Sequence, residues 1–174
     1  MSETSTNPHR QQQLYWAQMT ELKVATAYIR RYRDYLGRWT TGLGTVRAIA
    51  SSGSIAGWAI WHQYAFAWGI IIASSQVVDA LKDVFPFTKK HKAASAHTIT
   101  LGSLFIDAQL EWENIFSGRY TDEEIMKRRH KLMKLQHDAE AASFPDGLAP
   151  RESLFAQAQQ EAKDYFKATY PDIE

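Results

Sequence analysis

Apolar and polar positions recur with the period of an α-helix along almost the whole chain. Over residues 10–38, Leu14, Tyr15, Met19, Leu22, Ala25, Ile29, Tyr32 and Leu36 return every three or four positions, which predicts a long amphipathic helix. Residues 94–116 repeat the pattern with Leu101, Leu104, Phe105, Ala108, Trp112 and Ile115 on one face. After "SGRY", Thr121 and Glu124 have the spacing of a capping box, and Asp122 and Glu123 suit the positive end of a helix dipole. The helix they open is expected to reach about Ala142. "FPDGLAP" at 144–150 reads as a turn, with Pro150 at the first position of a last helix ending near Thr169. No strand-like alternation and no internal repeat is present, so the predicted fold class is all-α.

Between these amphipathic stretches the pattern changes. "TTGLG" at 40–44 is expected to interrupt or kink the first helix. Beyond it, residues 48–81 carry one formal charge, Asp79, in a chain that is 22% charged. A short turn around His62–Tyr64 would fold this block into two helices, 42–61 and 65–81, of roughly 30 and 26 Å at ~1.5 Å per residue. These lengths just match a hydrocarbon core of about 30 Å. The division that follows is a polar tail at 1–9, an amphipathic helix at 10–39, a two-pass hairpin at 40–83 and a cytoplasmic helical region at 84–174.

Three features favour a bilayer over a buried soluble hairpin. Arg30, Arg31, Arg33 and Arg38 precede the block and Lys82, Lys89, Lys90 and Lys92 follow it, while its tip has no Lys or Arg. That is the positive-inside distribution for two crossings with both ends in the cytoplasm. Trp58, Trp61, Tyr64, Phe66 and Trp68 crowd the tip like an interfacial belt, with Tyr35, Trp39, Phe85 and Phe87 near the other end. Gly53 and Gly57, with Ala50, form a small-residue surface that lets helices approach closely in lipid. A soluble bundle could still bury such a hairpin, since aromatics near a turn and a lone GxxxG step also occur in cores.

At ~100° per residue, Arg47, Ser51, Ser54 and Trp58 fall on one stripe, with Ser75, Gln76 and Asp79 clustered on the second arm. Arg47, Ser51, Ser54, Ser75, Gln76 and Asp79 are therefore the candidate lining of a wet lumen. Arg47 and Asp79 are equidistant from Gln63 and would lie at one depth in an antiparallel hairpin. They could pair there, or each could snorkel separately to the interface.

Composition narrows the chemistry. A net charge of +1 gives no whole-molecule attraction to nucleic acid. With no Cys, disulfides, thiol nucleophiles and zinc ribbons are excluded. The N-terminus, "MSETSTNPHRQQQ", has no apolar secretory core. None of the six histidines stands in HExxH or ExxH, and His130 and His137 read as solvated. Asp107, Glu111 and Asn114 share a helix face, with Glu113 close by, and read as its polar side rather than an acid–base pair. "KRRHK" at 127–131 reads as the wet side of its helix. No nucleotide-binding or nucleophile-elbow motif is present, and no catalytic residue, metal or cofactor is expected.

The order of elements, with "LFIDAQLEWENIFSG" followed by a "TDEE" restart, resembles SLATT proteins, the SMODS- and SLOG-associating two-transmembrane effectors of bacterial conflict systems. The resemblance covers residues 14–142. It implies an inner-membrane effector, triggered by a nucleotide second messenger or a sensor protein, that assembles as a homo-oligomer in lipid and forms a pore or damages the membrane to limit phage spread. A soluble helical interaction protein and a two-pass scaffold without a pore are the alternatives.

Overall fold

The computed structural model describes residues 9–60, 66, 69–70, 73, 87–148 and 150–171, with side chains for all of these except 46–47 and 49–60. Among the described residues four α-helices are delimited: α1 (Arg10–Ile60), α2 (Phe87–Phe116), α3 (Asp122–Ser143) and α4 (Glu152–Thr169). No strand occurs among the described residues, and the chain is all-α. It divides into two compact units, one made of the residues up to Tyr32 with those from Ala93 onward, the other of Arg33–Lys92.

The first unit is built on the predicted apolar faces. Tyr15, Met19, Leu22 and Ile29 of α1 are buried, as are Leu101, Phe105, Ala108, Trp112 and Ile115 of α2. Their burial removes apolar surface from water, worth about 1.5–3 kcal/mol for each large side chain. α4 is held by aromatic contacts: Trp16 lies 4.9 Å from Phe166 and 5.2 Å from Tyr170, and 4.8 Å from Trp112 of α2. Lys23 lays its ammonium 3.6 Å over the Tyr165 ring. Burial lowers its pKa, Glu161 acting the other way. α3 is more thinly attached, with only Ile125 and Leu132 buried within it.

Helix ends follow the local sequence. Thr121 Oγ1 accepts from the Glu124 N–H, and the Thr121 N–H donates to Glu124 Oε2 at 2.8 Å, completing the predicted capping box. Those hydrogen bonds from Thr121 hold the Glu124 carboxyl below its ordinary pKa. α2 ends in a Schellman motif: the Gly118 N–H donates to the Ile115 carbonyl and the Arg119 N–H to that of Asn114, with Gly118 at φ 73°. A side chain there meets the left-handed strain, so Gly118→Ala is expected to cost about 1–2 kcal/mol. The shift should be visible as a lower midpoint in denaturant.

The structure moves three predicted boundaries. The helix does not break at 40–44: α1 runs unbroken to Ile60. A helical Gly costs only about 1 kcal/mol, and the Thr40 and Thr45 hydroxyls bond back to the Gly37 and Thr41 carbonyls within the helix. α2 starts at Phe87 rather than near Ala94, so the lysines at 89–92 form its opening turns. Pro150 is not the first residue of α4; the N-cap is Arg151, which makes no side-chain cap, and the helix begins at Glu152.

In the second unit Leu36 is buried, Trp39 stacks on Phe87 at 6.2 Å, and α1 approaches α2 closely at Gly37. A Cβ on Gly37 would stand 3.3 Å from His91 Nε2. Among the described residues no helix is long and apolar enough to cross a membrane. The first arm of the expected hairpin falls on α1, where Arg47, Ser51, Ser52, Gly53, Ser54 and Gly57 dilute the aliphatic residues. The second arm lies almost wholly outside the described residues, as does the expected turn at His62–Tyr64.

Candidate functional site

The residues singled out from the sequence lie partly on α1 and partly outside the described residues. Arg47, Ala50, Ser51, Gly53, Ser54, Gly57 and Trp58 lie on α1. Trp61, Tyr64, Trp68, Ser75, Gln76 and Asp79 lie outside the described residues. Phe66 is helical and 84% exposed.

A cleft of about 440 Å³ opens in the first unit, between α2 and α3 over the start of α1. Its floor is Tyr15, whose phenol donates to the Ala108 carbonyl at 3.3 Å. Burial, reinforced by the Glu111 charge, pushes that phenol's pKa well up, so it stays neutral. α2 supplies Leu104, Asp107, Leu110 and Glu111; α3 supplies Lys127, Arg128, Lys131, Leu132 and Leu135. The carboxyls are one turn apart on α2, and Lys127 and Lys131 are one turn apart on α3, so acidic and basic rows face each other.

One ion pair closes across the cleft. Arg128 Nε donates to Glu111 Oε2 at 2.7 Å, and its guanidinium lies 3.7 Å over the Tyr120 ring. Being about a third exposed on each side, the pair contributes up to about 1 kcal/mol. Lys127 turns back to Glu123 at 2.7 Å. Asp107 and Lys131 form no ion pair among the described residues. The polar face read from Asp107, Glu111 and Asn114 is thus divided. Glu111 ties α2 to α3, Asn114 accepts from Arg119 near the helix end, and Asp107 faces the cleft.

Two other polar clusters lie away from the cleft, and the sequence pointed to neither arrangement. His97 is 5% exposed, edge-on to Phe144 at 5.5 Å, and lines an 80 Å³ cavity with Gln136 and Glu140. Its Nδ1 has no hydrogen-bond partner among the described residues, and burial lowers its pKa against the pull of Glu140. The signal was its place between Ala94 and Leu101 on the buried face of α2. On α1, Arg30 and Arg31 both bond Glu161 of α4, and Arg31 also bonds Gln157. These two arginines, read from the sequence as a membrane flank, serve inside the first unit as a clamp on α4.

His130 and His137 are exposed on α3. The described residues hold no group of three or more His, Asp or Glu positioned for a metal ion. Compared with known proteins, the chain matches no family model, no curated protein and no solved structure.

Proposed function

We propose that this chain is a helical effector of the bacterial inner membrane. In this reading the charge-poor block enters the bilayer as a hairpin, both termini stay in the cytoplasm, and several copies assemble into a pore or a membrane-disrupting body. The observation that carries the reading is the run at 48–81, charged only at Asp79. Phe66 and Ile70, 84% and 52% exposed, add apolar surface that water does not favour. Arg38, Lys89, Lys90 and Lys92 are exposed, as head-group contacts at the cytoplasmic face require. One hairpin cannot enclose water, so a pore needs several copies. Arg47, Ser51, Ser54, Ser75, Gln76 and Asp79 would line it, with Ala50, Gly53 and Gly57 packing helix on helix and Trp58, Trp61, Tyr64, Phe66 and Trp68 at the far interface. The low apolarity of the first arm fits a helix that touches lipid on one face only. The resemblance to SLATT effectors adds the setting: defence against phage, with the trigger, a nucleotide second messenger or a sensor protein, acting through the helices at 84–174.

A second reading, a soluble helical interaction protein, is favoured by the absence of a sufficiently long and apolar helix among the described residues. Fractionation decides between them. The effector reading expects the full chain in the membrane pellet after an alkaline carbonate wash, and loss of membrane potential within minutes of induced expression. Gly53→Leu with Gly57→Leu should abolish the depolarisation while leaving the chain in the pellet. Recovery as a monodisperse species without detergent establishes the soluble reading. A membrane-bound chain that leaves the potential intact is a scaffold.

A further inference from the structure

Outside the cleft's mouth, α2 carries an apolar stripe that nothing in the first unit covers. Ile99, Ile106 and Leu110 are 75%, 67% and 65% exposed and recur at spacings of seven and four, one face of the helix. Leu110 belongs to both the stripe and the cleft, and Leu135, also exposed, stands on the opposite wall. Apolar side chains left open in a row, bordered by charges, mark a surface that meets a partner.

The charges say which partner. Along the cleft, α2 presents Asp107 and Glu111 and α3 presents Lys127 and Lys131. Glu111 and Lys127 already have partners in their own chain, whereas Asp107 and Lys131 have none among the described residues. A surface with an acidic row on one helix, a basic row on the next and apolar residues beside them is complementary to itself. A twofold rotation about an axis along the cleft brings α2 of one copy over α3 of the other, so each Asp107 faces a Lys131 and each stripe is laid along the other copy's α3. A surface of one charge sign would call for a different molecule of opposite sign; this cleft leaves one acid, Asp107, and one base, Lys131, outside any ion pair among the described residues.

We infer that the α2–α3 face is a twofold self-association surface, with reciprocal Asp107–Lys131 pairs and each copy's Ile106 and Leu110 covered by the other copy's α3. The contact does not depend on whether the hairpin enters a bilayer, and it would pair copies through their helical units.

The test uses the full chain, in buffer or in detergent as its solubility requires, and a Gly53→Leu, Gly57→Leu background that removes association through the hairpin. Sedimentation should show a dimer in that background. Asp107→Lys and Lys131→Glu should each weaken it at least about tenfold, because each places like charges opposite one another twice. An equimolar mixture of the two variants should form a heterodimer within about threefold of the original affinity, since both pairs are then restored with signs exchanged. Leu110→Gln, at an exposed position, should weaken the dimer without lowering helix content, which keeps the test informative if a charge variant folds poorly. A monomeric parent chain overturns the inference. So does a dimer indifferent to both charge changes, a mixture that fails to recover, or saturable uptake of a small molecule into the cleft of a monomer.

Discussion

Phe166→Ala is expected to remove about 3–5 kcal/mol of folding stability, the usual cost of deleting a large aromatic from a packed core. Phe166 is 8% exposed and touches Trp16, Phe105, Tyr165 and Tyr170. Its ring joins α4 to both α1 and α2, and truncation leaves a cavity that four rigid aromatic neighbours cannot collapse into. Against a typical total of about 5–15 kcal/mol, that loss is a large part of the whole. Urea denaturation followed by tryptophan emission reports it directly, because Trp16 lies in the same cluster. A change below about 1 kcal/mol would mean that α4 is not integral to the first unit.

Acid should weaken the same unit in two steps. His97 is buried with its pKa lowered by desolvation, so the folded state resists a proton that the unfolded chain accepts near the ordinary imidazole value of about 6.5. Its contribution is fully present above that value and is lost as pH falls towards the lowered folded-state pKa. The second step belongs to Glu161. Burial works to raise its pKa, but the hydrogen bonds and charges of Arg30 and Arg31 outweigh that and hold the carboxyl low. Its contribution is present above the ordinary carboxylate value of about 4.3 and disappears below it. Denaturation midpoints taken from pH 7.5 down to pH 3.5 should fall in both windows. His97→Leu should flatten the upper window alone, and Glu161→Gln the lower. An unchanged slope between pH 7 and 5.5 in His97→Leu would remove His97 as its cause.

Much of the helical architecture was legible in the sequence for a local reason. The periodic burial of Tyr15, Met19, Leu22 and Ile29, the Thr121–Glu124 box and the end of α4 at Thr169 all depend on residues within one turn of each other. The misread boundaries were places where local cues are weak. Two glycines without a proline lower helix stability but do not end a helix, so α1 passed through 40–44. The lysines at 89–92, a basic flank by charge, are also good helix formers and so open α2.

The cleft was less legible. That Asp107 and Glu111 share a face follows from their spacing, but the approach of Arg128 to Glu111 does not. Nor could the sequence assign Arg30 and Arg31 to Glu161, which is more than a hundred residues away. Read as a flank they supported a membrane; in the fold they hold α4.

By itself, then, the sequence determined that this chain is helical, where most helices lie, which faces they bury and that residues 48–81 are almost without charge. Those properties follow from hydrogen bonds four residues apart and from side-chain period. Only the tertiary structure decided which charges neutralise one another, that His97 is enclosed, and that Ile99, Ile106 and Leu110 are left in the open beside an acidic and a basic row. Each of these depends on which helix lies against which, and that choice is made by contacts between segments far apart in the chain.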